Sequence, residues 1–107
     1  MISVFVLYPS VASSRFDLDY YVERHLPLVR DRLTPMSMRS LTFTVMPSTG
    51  DEPPPYRLIA ELRFDDMVTT ERALATHGPE TQADIPNFTD LAPIIIIGET
   101  REAGTCP

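Results

Sequence analysis

Apolar residues in this chain alternate with polar ones in some stretches and recur every third or fourth position in others. Ile2 to Tyr8 is dense in β-branched and aromatic side chains and predicts a strand. Pro9 to Ser14 predicts a polar loop. Beyond it, Leu18, Tyr21, Val22, His25, Val29 and Arg32 or Leu33 recur at helical spacing. Asp17 can cap that helix by accepting from the free backbone N–H groups of its first turn. Phe16 and Tyr21 then occupy the two positions of a hydrophobic staple. Pro27 removes the backbone bond to the carbonyl of Glu23, which predicts a kink or local break just after His25. The helix is expected to end near Leu33, ahead of Thr34-Pro35.

Leu41, Phe43 and Val45 alternate with Thr42 and Thr44 in a second strand. The proline-rich stretch Pro47 to Pro55 predicts a loop. From Tyr56 to Phe64 the alternation resumes, with Leu58, Ala60, Leu62 and Phe64 on the face of Tyr56, and Arg57, Ile59, Glu61 and Arg63 opposite. Asp65 or Asp66 opens a second helix through about His77, where Gly78-Pro79 is expected to stop it. An irregular segment, Glu80 to Asp90, leads to a last strand, Ile94 to Ile97, apolar on both faces. The motif Arg-Phe-Asp precedes both helices, at Arg15 to Asp17 and Arg63 to Asp65, as in a duplicated half.

The order β-α-β-β-α-β predicts an α+β, ferredoxin-like fold: a four-stranded antiparallel sheet with both helices on one face. The isoleucine run asks for burial on the second face as well. Dimerisation through the open face supplies it.

Composition narrows the function more than the fold. A chain of 107 residues is expected to form one domain, and 43% apolar residues suffice for a core without staples. A net charge of −6 argues against nucleic acid or an anionic membrane as partner. All nine basic residues are arginine, which removes lysine Schiff-base chemistry. Cys106, the lone cysteine, is near the C-terminus and a poor nucleophile candidate. Without a membrane-length apolar run or a basic leader, a cytoplasmic protein is expected. The two histidines are far apart in sequence and no glycine-rich phosphate loop occurs, so neither a metal nor a cofactor is expected.

Tyr21 and His25 are four residues apart and so neighbours on a helix. A group that titrates near neutrality beside a phenol can serve as an acid/base pair. The plainer reading makes His25 a core histidine bonded to a carbonyl freed by Pro27, and the tyrosines packing residues. Tyr20 lies about one hundred degrees round the helix, towards its edge. His77, in the last turn of the second helix, reads as structural. Asn87 and Phe88 belong either to a turn or to a wall over a cleft.

Phe16-Asp17, Tyr20-Tyr21, His25-Leu-Pro-Leu-Val29 and Asp84-Ile-Pro-Asn-Phe-Thr-Asp90 together resemble the EthD-like family. That family belongs to the dimeric α/β-barrel superfamily and takes its name from an ethyl tert-butyl ether degradation cluster. The resemblance runs from the first strand through Ile97. It implies a homodimer whose two sheets form a shared barrel, with a ligand cleft between sheet and helices in each subunit. Superfamily relatives include cofactor-free monooxygenases of aromatic polyketides, lactone isomerases, aldoxime dehydratases and haem-degrading enzymes. The last fit worst, since the chain has no Trp to pack that macrocycle.

The expectation is therefore a small cofactor-independent enzyme acting on a hydrophobic, aromatic or polyketide-like molecule, as a dehydratase, cyclase, decarboxylase or oxygenase. His25 would be acid or base and Tyr21 would position the substrate's oxygen. Tyr20, Pro27, Asn87 and Phe88 would contact the substrate. The alternatives are a non-catalytic dimer that carries or sequesters an apolar metabolite, and a purely structural dimerisation module.

Overall fold

Each alternating stretch forms a strand: β1 (Ile2–Pro9), β2 (Ser40–Val45), β3 (Tyr56–Phe64) and β4 (Ile94–Glu99). The computed structural model describes residues 1–47 and 52–106, so the centre of the Pro47–Pro55 loop lies outside the described residues. The strands make one antiparallel sheet in the order β2-β3-β1-β4. The first helix has three parts: α1 (Leu18–Tyr20), a π turn (Tyr21–His25) and α2 (Leu26–Leu33). The second helix is α3 (Met67–Ala83). Val29 and Leu33 of α2 and Ala73 of α3 pack on Val4, Leu62 and Phe64, so both helices cover the same sheet face. This is the ferredoxin-like arrangement read from the sequence.

Local signals at the first helix hold. The Asp17 carboxylate accepts from the Tyr20 N–H at 3.1 Å, and the Phe16 and Tyr21 rings meet at 5.6 Å. Pro27 does not break the helix. Instead the Leu26 N–H reaches back to the Tyr21 carbonyl, and Leu26 keeps helical angles (φ −61°, ψ −41°). A proline needs no acceptor, and widening the preceding turn makes room for its ring. The wider turn also shifts the buried face. Leu26 turns inward, while Leu18 and Val22 are 40% and 41% exposed.

The second helix likewise passes its expected stop and continues through Gly78-Pro79 to Ala83. Gly78 has no Cβ for the proline ring to strike, which removes part of the usual bias against helix before proline. The Thr81 hydroxyl donates to the carbonyls of His77 and Gly78, at 3.1 and 3.0 Å. Of the two candidate caps, Asp66 takes the role, accepting from the Thr69 N–H at 2.8 Å. Asp65 binds Arg39 instead.

The entry to the first helix is tied to the segment after α3. Phe16 bridges Thr89, and the Asp17 N–H donates to the Phe88 carbonyl at 2.7 Å. The Thr89 hydroxyl donates to the Arg15 carbonyl at 2.6 Å. The Arg15 N–H donates to the Asp90 carboxylate at 3.0 Å.

The helix-free face divides into two parts. Cross-strand register aligns Ile59, Leu7 and Ile94 in one row and Glu61, Phe5 and Ile96 in the next. The following row is polar: Ser3 donates to Glu61 at 2.7 Å, and Arg63 does so at 2.9 Å. Ile94 and Ile96 remain 45% and 51% exposed, and Ile95 and Ile97, on the helix side of the edge strand, are hardly less so.

Candidate functional site

The first helix and the end of α3 bring an imidazole and a carboxylate together beneath the sheet. His25, only 6% exposed, has its Nδ1 at 3.0 Å from Asp84 Oδ2. The other oxygen of Asp84 accepts from the Tyr20 hydroxyl at 2.8 Å and from the Asn87 amide at 2.9 Å. Burial would raise the Asp84 carboxyl, but hydrogen bonds from Asn87, His25 and Tyr20 outweigh it and hold it below the ordinary value. Burial also dominates at His25, where it disfavours the imidazolium and lowers the pKa from 6.5 despite the nearby carboxylate. At neutral pH the pair is thus a neutral imidazole donating to a carboxylate. Because Asp84 can only accept, the proton belongs on Nδ1 and Nε2 carries a free lone pair.

Aromatic rings fix the imidazole. Tyr21 stacks on it with centroids 5.5 Å apart and planes 24° from parallel. Phe88, fully buried, meets it at 4.6 Å. Tyr8 of β1 stands edge-on to Tyr21 at 6.0 Å. Burial raises the phenol pKa of both Tyr8 and Tyr21, so both remain protonated donors at neutral pH.

A cavity of about 100 Å³ opens beside these groups, between the sheet and the two helices. Val4, Val6, Tyr8 and Ala60 form its sheet side, Tyr21, His25, Leu26 and Val29 its first-helix side, and Gly78, Thr81 and Gln82 its α3 side. A larger groove of about 330 Å³ lies elsewhere, between Val11, Phe16, Met46 and Arg57. Arg57 is its one charged wall residue and is already engaged, over the Phe16 ring and with the Ser14 hydroxyl. The small cavity is the better candidate because it alone borders the histidine.

His25 and Tyr21 are brought together on the cavity wall, as their spacing predicted. Tyr20, Pro27, Asn87 and Phe88 are not on that wall. Tyr20 and Asn87 hold Asp84, Phe88 backs the imidazole, and Pro27 lies two residues past the π turn. Sequence reasoning missed Asp84 as a site residue, although it begins the Asp84-Ile-Pro-Asn segment. It also read Tyr8 only as a strand residue, although alternation puts it on the face of Val4 and Val6. Among the described residues, no group of three or more His, Cys, Asp or Glu could hold a metal ion. No helix among them is long and apolar enough to cross a membrane.

Comparison with known proteins gives this geometry a family. An EthD-domain model matches residues 12–92. The chain is similar to the crystal structure of an EthD-like protein from Ralstonia eutropha JMP134, with 31% identity and a TM-score of 0.85, over 97% of this chain and 95% of that one. It is similar also to an ethyl tert-butyl ether degradation (EthD) family protein from Bacillus halodurans C-125, at 22% identity and a TM-score of 0.73, over 94% and 99% of the two chains. A dimeric protein of unknown function and ferredoxin-like fold from Bacteroides fragilis shares the fold at 14% identity and a TM-score of 0.51, over 92% and 95%. No curated protein matches the chain. With most of its length matched by the family model and its fold shared along nearly the whole chain, the protein belongs to the EthD family.

Proposed function

We propose that this protein binds a small, mostly apolar molecule in the cavity beside His25 and moves a proton on it, with His25 as base and then acid. The observation that carries this reading is the buried neutral imidazole, its Nδ1 held by Asp84, on the wall of a mostly apolar cavity. An orienting carboxylate behind an imidazole leaves Nε2 as the working atom and stabilises the imidazolium formed by proton uptake. Asp84 is a positioning residue, and Tyr20 and Asn87 position Asp84.

Size limits the ligand. An engineered apolar cavity of about 150 Å³ accommodates benzene, and this one is about 100 Å³. A polyketide-sized molecule therefore enters only by one end, with the rest outside the cavity. The apolar side chains of Phe5, Leu7, Ile59, Ile94 and Ile96 on the open sheet face and the exposed edge of β4 support a homodimer, the second part of the proposal.

Deuterium incorporation at the carbon beside the carbonyl of acetophenone and cyclohexanone, followed by NMR in D2O, tests the reaction. The wild-type protein should accelerate exchange, and His25→Ala should lower the rate by about 10²- to 10⁴-fold. Exchange that is unaffected by His25→Ala rules the acid/base reading out. Retained ketone binding with no exchange identifies a carrier instead.

A further inference from the structure

Resting on that reading, we infer that Tyr8 and Tyr21 form a two-donor clamp for one oxygen of the ligand, so that the preferred substrates are molecules presenting a carbonyl, enol or phenol head group. Tyr21 and His25 lie on the first helix, but Tyr8 comes from β1, and nothing in the acid/base pair requires it. Both phenols are 1% exposed and both border the cavity. The Tyr20 hydroxyl is bonded to Asp84, whereas those of Tyr8 and Tyr21 have no hydrogen-bond partner among the described residues. No side-chain oxygen or nitrogen among those residues is both fully enclosed and unpaired. Each hydroxyl therefore opens onto free space, and for side chains this deeply buried that space is the cavity.

Two unpaired donors in one buried wall are costly unless something accepts from them, since an unsatisfied buried hydroxyl forfeits its hydration. The cavity is small, so an oxygen inside it stands within reach of both rings, whose centroids are 6.0 Å apart. The Thr81 hydroxyl is spent on the carbonyls of His77 and Gly78 and Gln82 is exposed, so the buried part of the wall offers the two phenol donors and, with Nδ1 turned to Asp84, the Nε2 lone pair of His25. That set matches a ketone with a hydrogen on the neighbouring carbon. The C–H bond breaks and its proton passes to Nε2. The electron pair forms a C=C bond, and the former C=O pair settles on oxygen as an enolate held by the two phenols. Return of the proton from Nε2, to carbon or to oxygen, completes an exchange or a tautomerisation. No oxidant or reductant takes part. Preorganised donors aimed at developing negative charge are the largest contribution in many such reactions.

4-Nitrophenol tests the clamp directly, because its absorbance separates phenol from phenolate. Wild-type protein should bind it saturably and shift it towards phenolate at a pH where the free probe is mostly protonated. Tyr8→Phe and Tyr21→Phe should each weaken binding by about tenfold or more and remove most of that shift. Neither should lower the melting temperature, since neither hydroxyl is bonded in the free protein. His25→Ala should keep both binding and shift, while abolishing ketone exchange. Absence of saturable binding by the wild type, or full binding in both phenylalanine variants, overturns the clamp. A shift lost in His25→Ala but kept in the tyrosine variants does the same, by assigning the phenolate to an imidazolium. If phenolate binds as expected but no ketone exchanges, the clamp stands and the acid/base reading fails.

Discussion

Two prolines within helices meet different fates in this protein. Pro27 follows a π turn in which Leu26 reaches back to Tyr21, and the inward face is reset so that Leu26 replaces Val22. Pro79 is carried inside α3 without any such widening, after a glycine that lacks the clashing Cβ. The same residue thus reshapes a face where its predecessor has a side chain and is absorbed where it has none. The π turn spans the residues of the candidate site, Tyr21 to His25, consistent with the frequent occurrence of such turns at functional positions.

The largest expected effect comes from the ring beneath the π turn. Phe88→Ala removes a fully buried phenyl that meets Tyr8, Tyr21 and His25, and should cost about 3–5 kcal/mol in chemical denaturation. A loss below about 1 kcal/mol would mean that the cluster repacks around the gap.

The two prolines come next. Pro79→Ala restores a backbone donor in α3 and should raise stability by about 1–2 kcal/mol, with ketone exchange and nitrophenol binding unchanged. Pro27→Ala should change stability by less than about 1 kcal/mol while weakening ligand binding, because the turn is free to tighten and rotate Tyr21 away from His25. Equal behaviour of the two variants in stability and binding would erase the contrast.

The smallest effect is on pH dependence. The folded His25 titrates below 6.5, so on acidification the unfolded chain takes up its proton first. Stability from this residue is complete above about pH 6.5 and falls as the pH drops from there to the folded pKa. Asp84 adds a second loss at lower pH. Its folded pKa lies below 3.8, so its contribution is present above that value and disappears as the pH falls through the folded pKa. Urea midpoints measured across both windows should show the upper decline in the wild type and not in His25→Asn. A wild-type midpoint that rises on going from neutral pH to pH 5.5 contradicts the neutral buried imidazole.

What could be read in advance follows the range of the forces involved. Strand alternation, the Asp17 cap and the Phe16–Tyr21 staple are set by residues within a few positions of one another, and all three appear as the sequence implied. The π turn is not legible, because local rules say only that Pro27 disturbs the helix and not how the hydrogen bonds are redistributed. Passage of α3 through Gly78-Pro79 runs against the usual reading of Gly-Pro as a stop, because the same missing Cβ that weakens the helix at Gly78 removes the clash with the proline ring. Asp84 is 59 positions from His25, and no periodicity links them. Tyr8 was visible as an inward strand residue, but its unpaired hydroxyl is a property of the assembled wall.

The ties between Arg15–Asp17 and Phe88–Asp90 have a kinetic consequence. They connect positions more than seventy apart in the chain, yet they hold the cap of the first helix and flank the Phe88 ring behind His25. These loop amides should therefore exchange with solvent as slowly as those of the central strands, because releasing them undocks the first helix from the chain that follows α3. A binding-competent cavity then forms late in folding, after the most distant loop has closed.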